Sequence, residues 1–378
     1  MQNQNAKPTA NKSIIRWLYI SATIVFAIVV IGGVTRLTRS GLSIVEWKPV
    51  SGVVPPIGEA QWQTEFDKYK QTPEYRLVNR GMTLSEFKNI FWWEFIHRIF
   101  ARLVGVVFLF PFLWFLIRKH IRGALAVRLG IVFALGAFQG FLGWYMVKSG
   151  LVNDPHVSHL RLMSHLMTAV LIYAMMLMTA WGLKDPEPPT SARSGSRAEA
   201  PPVPREPRTS MSSGSRAEAP PVPREPRTSM SSAGWAWFNV VFAFVILASG
   251  ALVAGLKAGK MYNTFPLMNG QYFPQGMWGF TPALSNLTDN PIMVQFIHRN
   301  FAYAFGIVVC IQLWRARPAL TVSHPLSLLA FAYVLQFFLG VFTLLNAVPV
   351  SLGALHQANA LILFTAALHL LARTRQRV

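Results

Sequence analysis

The stretch that decides the fold is Glu94-Phe-Ile-His-Arg-Ile-Phe-Ala-Arg-Leu-Val-Gly105, which recurs as Gln295-Phe-Ile-His-Arg-Asn-Phe-Ala-Tyr-Ala-Phe-Gly306. Seven of the twelve positions are identical. A second pair of segments, Gln139-Gly-Phe-Leu-Gly143 and Gln336-Phe-Phe-Leu-Gly340, aligns in the same order. The sequence therefore predicts that the two halves of the chain are copies of one unit.

Composition indicates a membrane protein. Of 378 residues, 52% are hydrophobic and 13% are charged, against about 25% charged residues in an average soluble domain. These values argue against a soluble enzyme and against a disordered chain. The one cysteine, Cys310, excludes an intramolecular disulfide, a cysteine-based zinc site and an iron–sulfur cluster, and we expect it to be a small core residue.

Eight apolar runs are long enough to cross a bilayer, whose core of about 30 Å needs about 20 helical residues. We therefore predict an all-α integral membrane protein with eight transmembrane helices, arranged as two pseudo-symmetric four-helix bundles. Each half has four spans, so both halves begin on the same side of the membrane and have the same orientation. The repeat is therefore parallel. The predicted spans are Trp17–Val34, Trp93–Ile117, Leu129–Val147, Leu162–Leu183, Ala233–Leu256, Pro291–Trp314, Leu326–Ala347 and Leu352–Leu371.

The distribution of charge predicts the orientation. Lys and Arg exceed Asp and Glu by 35 to 15, for a net charge of +20. The two tails and every second loop carry a net charge of +14, whereas the alternate loops carry +4. The positive-inside rule then predicts that both termini lie in the cytoplasm. With its charge explained in this way, the chain is expected to contact membrane lipid and no nucleic acid.

A polar linker is predicted to separate the two halves, so that the domains are 1–183, 184–234 and 235–378. The linker is rich in Pro, Ser, Arg and Glu, and its 19-residue unit Gly195–Ser213 is repeated without change as Gly214–Ser232. Since it has almost no large apolar residue, we expect a disordered cytoplasmic tether.

Four of the nine histidines occupy matching places in the repeat. His97 and His298 lie near the starts of the second and sixth spans, and His165 and His356 in the first turns of the fourth and eighth. The predicted topology places all four at similar depth, toward the outer leaflet. An imidazole inside a span is costly unless it is engaged, and two imidazoles between packed helices suit the axial positions of a haem iron. Each half is therefore predicted to hold one bis-histidine haem.

The other five histidines are expected to be ordinary interface residues. His159, in the outer loop before the fourth span, is the one rival to His165 as an iron ligand. The remaining four are His120, His156, His324 and His369.

Beside the first histidine of each half, one charged residue is the same in both halves and another is present in the first half only. Arg98 and Arg299 each follow that histidine by one residue and could pair with haem propionates. Glu94 precedes it by three residues, on the same helix face, whereas the matching residue is Gln295, which does not titrate. A carboxylate beside a haem can move a proton or position a water. The alternative is that Glu94 only forms an ion pair with Arg98 or Arg102.

Several stretches together resemble heme A synthase, the membrane enzyme that converts heme O to heme A for cytochrome oxidases. They cover nearly all of the chain outside the N-terminal tail and the linker. The chain lacks the outer-loop cysteine pair of some family members, and so resembles the branch shared by proteobacteria and mitochondria. The stretches are Gly32-Gly-Val-Thr-Arg-Leu-Thr-Arg-Ser-Gly-Leu-Ser43, Trp47-Lys-Pro-Val-Ser-Gly-Val-Val-Pro-Pro56, Glu94-Phe-Ile-His-Arg98, Arg161-Leu-Met-Ser-His-Leu166, Tyr262-Asn-Thr-Phe-Pro-Leu-Met268 and His356-Gln357.

The resemblance implies that the C8 methyl of heme O is oxidised to a formyl group, through an alcohol and a hydrated aldehyde, with water as the oxygen source. It implies that heme O is bound between His97 and His165, with Glu94 as proton acceptor or water orienter. It implies a resident haem b between His298 and His356 that accepts electrons. It also implies heme O synthase and cytochrome oxidase assembly factors as partners, and leaves homo-oligomerisation open.

Two other functions fit parts of the pattern. The same histidine pairs would suit a b-type electron-transfer cytochrome, but electron transfer alone does not require Glu94. A transporter with parallel repeats would bind no haem, so a visible spectrum separates it from both haem proteins.

Overall fold

The computed structural model describes residues 6–48, 51–150, 158–184, 232–316 and 324–376. Apart from one isolated bridge between Met268 and Gln271, the regular structure of these residues is helical. Most of the predicted linker, from 185 to 231, lies outside them. The helices are α1 (Ala6–Leu37), α2 (Glu59–Lys70), α3 (Pro73–Leu77), α4 (Leu84–Ile117), α5 (Gly123–Gly150), α6 (His159–Lys184), α7 (Ser232–Gly255), α8 (Pro291–Ala316), α9 (Pro325–Leu345) and α10 (Val350–Gln376), with 3-10 turns at Ala258–Lys260 and Ala283–Leu287.

Eight of the described helices, all but α2 and α3, are long and apolar enough to cross a membrane. The predicted all-α fold with eight spans is therefore confirmed. Helix α4 begins well before its predicted span, at Leu84 rather than at Trp93. Its start is fixed by a capping box, in which the Thr83 hydroxyl accepts from the backbone N–H of Glu86 and the Glu86 carboxylate accepts from the N–H of Thr83.

Helices in the two halves pack in the same order. In the first half α1 contacts α4 and α6, and α5 contacts α4 and α6. In the second half α7 contacts α8 and α10, and α9 contacts α8 and α10. The two sets meet through α1, α6, α7 and α10, which are the first and last spans of each half. The two-bundle repeat stays a prediction, which this common order supports.

Polar contacts join the two halves at these central helices, near the ends of α1 and α7 and the start of α10. The Gln357 amide of α10 donates to the Val29 carbonyl of α1 at 2.8 Å. The guanidinium of Arg36, near the end of α1, donates to the Gly255 carbonyl that ends α7 at 2.9 Å. Lipid-facing surfaces carry exposed apolar side chains, and Cys310 is among the exposed residues. The expectation that Cys310 is a core residue is therefore wrong, because its place on α8 faces outward.

A small aromatic platform between α1 and α4 was not predicted. Apolar residues at helical spacing on α2, Trp62, Phe66 and Tyr69, pack against Phe87 and Phe91 of α4. The ring centres of Trp62 and Phe91 lie 4.9 Å apart. This packing explains why α4 continues beyond its apolar span, since Phe87 and Phe91 of its first turns are buried against α2.

Glu74 of α3 is also buried, with 6% of its surface exposed, and its Oε2 has no hydrogen-bond partner in the described structure. Burial raises the pKa of the Glu74 carboxyl to about 7, and the negative charge of Glu94 acts in the same direction. Arg36, Arg39 and Lys257 oppose the shift.

We expect Glu74→Gln to change how stability depends on pH. Since the folded pKa of about 7 exceeds the ordinary value of 4.5, the folded chain holds a proton that the unfolded chain loses between these values. The contribution of Glu74 to the free energy of unfolding is therefore full below pH 4.5 and lost as the pH rises through about 7, by up to about 3 kcal/mol. The glutamine variant lacks this loss, so it should gain stability relative to the parent as the pH rises.

Apparent midpoints of thermal unfolding of the purified full chain, measured from about pH 5 to about pH 8, test this expectation. Glu59→Gln, at an exposed position on α2, is the matched control and should run parallel to the parent. Parallel curves for Glu74→Gln as well would show that Glu74 does not titrate in this range.

Candidate functional site

Each of the four predicted ligand histidines lies against a glycine of a neighbouring helix. At that glycine even a methyl group would press on the imidazole, so the absence of a side chain lets the ring lie against the neighbouring backbone. All four histidines keep part of their surface exposed. A Cβ placed on Gly32, Gly143, Gly250 or Gly340 would lie 3.0, 3.3, 3.1 or 3.0 Å from Cε1 of His97, His165, His298 or His356, respectively.

The second-half pair has the spacing that one metal ion requires. The ring centres of His298 and His356 are 6.5 Å apart, and the rings are inclined at 85°. Since an imidazole nitrogen binds a first-row metal ion at about 2 Å, two rings on opposite sides of one ion have centres about 6 Å apart. His298 and His356 therefore fit the axial positions of a haem iron.

In the first half, His97 lies against Gly32 of α1 and His165 lies against Gly143 of α5. Nδ1 of each ring is buried without a hydrogen-bond partner in the described structure. His165 is the seventh residue of α6, and His356 is the seventh of α10. Both therefore lie in the second turn of their helices, rather than in the first as predicted, because each helix begins earlier than its apolar run.

The contacts of His159 favour His165 as the ligand. His159 Nε2 lies 3.0 Å from Asp289 Oδ1, so its imidazole is directed to the loop before α8. His165 instead shares the glycine contact of the other three ligand candidates. Of the remaining histidines, His324 accepts from the Leu326 N–H at the start of α9, and His369 packs against Trp181. His156 lies outside the described residues.

Glu94 is held by four hydrogen bonds and is 2% exposed. Oε2 accepts from the Ser43 hydroxyl at 2.7 Å and from the backbone N–H of Ile44 at 2.8 Å. Oε1 accepts from Nε and Nη2 of Arg98, at 3.0 and 2.6 Å. A carboxylate has about four lone-pair sites, so every site of Glu94 is occupied and its orientation is fixed.

The two arginines bind matching loop segments. Arg98 donates to two carbonyls of the segment after α1, and Arg299 donates to two carbonyls of the segment after α7. With its bonds to Glu94, Arg98 uses four of its five N–H groups, whereas Arg299 uses two and keeps a buried Nε without a partner. The acceptors are Ile44 and Glu46, at 2.9 and 3.2 Å, and Tyr262 and Thr264, at 2.8 and 2.9 Å.

The second-half positions that match Glu94 and Ser43 carry neither an ionisable group nor a hydroxyl. Gln295 replaces Glu94, and its Nε2 donates to the Tyr262 carbonyl at 3.0 Å. Arg98 donates to the Ile44 carbonyl as Arg299 donates to the Tyr262 carbonyl, so Ile44 corresponds to Tyr262. The preceding residues, Ser43 and Met261, therefore also correspond. The carboxylate and the hydroxyl that contacts it are thus both specific to the first half.

Sequence reasoning did not single out Ser43 or the four glycines. Signals for three of them were present, because Gly143 and Gly340 end the second repeated segment and Gly32 begins the first family-like stretch. For Gly250 there was no such signal, since only the packing of α7 on α8 shows which histidine it contacts.

Fold and site together define a helical membrane protein with two imidazole pairs and one buried carboxylate beside the first pair. Within that class, the chain belongs to the cytochrome oxidase assembly protein family COX15-CtaA, whose profile matches residues 15–368.

Curated relatives span almost the same length. The heme A synthase of Nitrosospira multiformis is 43% identical over 97% of this chain and 95% of the relative. The heme A synthase of Rhodospirillum centenum is 44% identical over 94% of this chain and 86% of the relative. The heme A synthase of Nitrosomonas eutropha is 43% identical over 93% of this chain and 91% of the relative. The resemblance inferred from the motifs is therefore confirmed.

We expect Gly250→Val to displace the His298 imidazole, because a Cβ at this position already lies 3.1 Å from the ring. The haem content of the purified protein should fall severalfold, as measured by pyridine haemochrome absorbance per mole of protein. Gly136→Val adds the same side chain on α5, where a Cβ has no neighbour within 4 Å, and should keep the parental content. Equal haem content in the two variants would contradict the glycine contact as a requirement for the site.

Proposed function

We propose that this protein is a heme A synthase, which oxidises the C8 methyl group of heme O to the formyl group of heme A. The observation that carries the proposal is the buried carboxylate of Glu94, one helical turn from His97, with a glutamine at the matching place in the second half. The names of the curated relatives support the same reaction.

Atoms and electrons balance with water as the oxygen source. The methyl group and one water give an alcohol, two protons and two electrons. The alcohol and a second water give a hydrated aldehyde, two more protons and two electrons, and loss of water leaves the formyl group. Four protons and four electrons must therefore leave the substrate, so the site needs a proton acceptor and an electron acceptor.

We assign one imidazole pair to the substrate, beside the proposed proton acceptor, and the other pair to the electron acceptor. His97 and His165 bind the iron of the substrate, heme O, next to Glu94. His298 and His356 hold a resident haem b, which when bound supplies one-electron redox chemistry. Arg299, with its unused N–H groups, is placed to bind a propionate, whereas Arg98 is largely engaged by Glu94 and the loop.

Glu94 is proposed to accept a proton or to orient the attacking water. All its lone-pair sites are occupied, so one contact must open first. The Ser43 hydroxyl is the contact that can do so, because the Ile90 carbonyl lies 3.4 Å from its oxygen as a second acceptor. Rotation of this hydroxyl leaves Oε2 free for one further hydrogen, while Arg98 keeps the carboxylate in place.

A b-type electron-transfer cytochrome is the second candidate function. The observation that favours it is the ion pair between Glu94 and Arg98, which by itself explains a buried carboxylate as a structural element. The two functions differ in the expected effect of removing the Glu94 carboxylate: a heme A synthase would lose heme A production, whereas an electron-transfer cytochrome produces no heme A.

The proposed setting is a bacterial inner membrane, with both termini in the cytoplasm and the haem sites toward the periplasm. Charge supports this orientation, since the tails and the loops on their side carry most of the basic residues. A cysteine in place of Asn269 should react with an impermeant thiol reagent outside intact cells.

Heme O synthase and cytochrome oxidase assembly factors are the proposed partners.

We expect Glu94→Gln to block methyl oxidation while leaving the fold intact. Glutamine occupies the matching position in the second half, so the helix accommodates it. Loss of a general acid or base costs about 10²–10⁴-fold in rate. Heme A extracted from the cells should therefore fall steeply, and heme O or the alcohol should accumulate, as separated by chromatography.

Glu46→Gln is the matched control, because Glu46 is a loop carboxylate that pairs with the surface residues Lys48 and Lys68. It should keep heme A near the parental amount. Near-parental heme A from Glu94→Gln, with haem b retained, would instead refute the catalytic role of Glu94 and assign it a structural role as the ion-pair partner of Arg98.

A further inference from the structure

One imidazole of the second half is anchored through its outer nitrogen. His298 Nδ1 lies 2.8 Å from the hydroxyl oxygen of Ser249, on α7. That hydroxyl donates its own hydrogen to the Ile246 carbonyl at 2.8 Å. With its single hydrogen engaged there, the Ser249 oxygen is an acceptor for Nδ1–H of His298. This arrangement assigns the proton of His298 to Nδ1, where the Ile246 carbonyl is a further acceptor, and leaves the lone pair on Nε2.

Its partner His356 is held by a chain of amides. Nε2 of Gln336 lies 3.2 Å from Nδ1 and 3.3 Å from Nε2 of the ring. Asn359 fixes this amide by donating to its Oε1 at 3.0 Å and to the Ala332 carbonyl at 3.0 Å. Both imidazoles of the second half therefore contact a side chain that is itself anchored.

The first half lacks these anchors. Ile31 precedes Gly32 as Ser249 precedes Gly250, so an alkyl group stands where the second half has a hydroxyl. The amide of Gln139, which matches Gln336, donates to the backbone carbonyl of His165 at 2.8 Å rather than contacting the ring. Nδ1 of both first-half imidazoles is buried without a partner in the described structure.

We infer that Ser249 is a positioning residue that fixes the tautomer of His298 and tunes the resident haem, whereas the unanchored pair of the first half suits a haem that must enter and leave. This inference rests on the proposed function, which places haem b in the second half. A hydrogen bond from the outer N–H makes an imidazole a stronger donor to the metal and holds its ring in place. A stronger donor favours oxidised iron, so Ser249 lowers the reduction potential of the site.

Reductive titration of the purified full-length protein, followed at the visible bands of haem b, measures this effect. Ser249→Ala should raise the midpoint potential and weaken haem binding by about 10–100-fold, the usual range for loss of such an outer partner, which is seen as faster haem transfer to excess apomyoglobin. Ser249→Thr keeps the hydroxyl and should restore both values. Ile31→Ala shortens the side chain at the matching place in the first half and should leave the haem b potential unchanged.

An unchanged potential and transfer rate in Ser249→Ala, with haem b bound, would overturn the inference alone. So would a change in Ser249→Thr equal to that in Ser249→Ala, since a merely steric effect would follow the side chain and not the hydroxyl. Absence of a bis-imidazole spectrum from the unsubstituted protein would overturn the proposed function together with the inference.

Discussion

Contact between a histidine and a glycine is the constraint on which the structure depends. An imidazole inside a membrane span must be engaged, since lipid supplies no hydrogen bonds. Four glycines let four rings lie against neighbouring backbone at matching places in the two halves. The helices can therefore approach closely enough for the rings to meet in pairs, as the 6.5 Å separation of His298 and His356 shows.

The two halves share these histidine–glycine contacts but differ in the polar side chains around them. The first half places Glu94 and Ser43 where the second has Gln295 and Met261, so an ionisable carboxyl group lies beside the ligand histidine of the first half only. Conversely, Ser249 anchors a second-half ring where the first half has an isoleucine. Duplication followed by such specialisation would give one site for chemistry and one for holding electrons, which is the division of labour that a four-electron methyl oxidation requires.

Much of this arrangement could be predicted, because membrane spans and repeats leave strong sequence signals. Six of the eight spans follow from uncharged runs, and the other two from apolar runs that are charged near their starts. His97 and His298 follow from the repeated segment beginning at Glu94 and its copy, and His165 and His356 from their matching places at the starts of the fourth and eighth spans. The platform of α2 and α3 was missed, since its helices are short and their stability comes from aromatic packing on α4. The anchor at Ser249 was missed as well, because one serine in an apolar helix shows its partner only when the helices are packed.

The most direct measurement is the visible spectrum and haem content of purified histidine variants, since the central claim is that the second imidazole pair holds the resident haem and the first pair holds the substrate. We expect His298→Ala and His356→Ala to lose the low-spin haem b spectrum. His97→Ala should keep that spectrum and lose heme A production. Retention of a normal bis-imidazole spectrum in both second-half variants, or its loss from His97→Ala alone, would contradict the account.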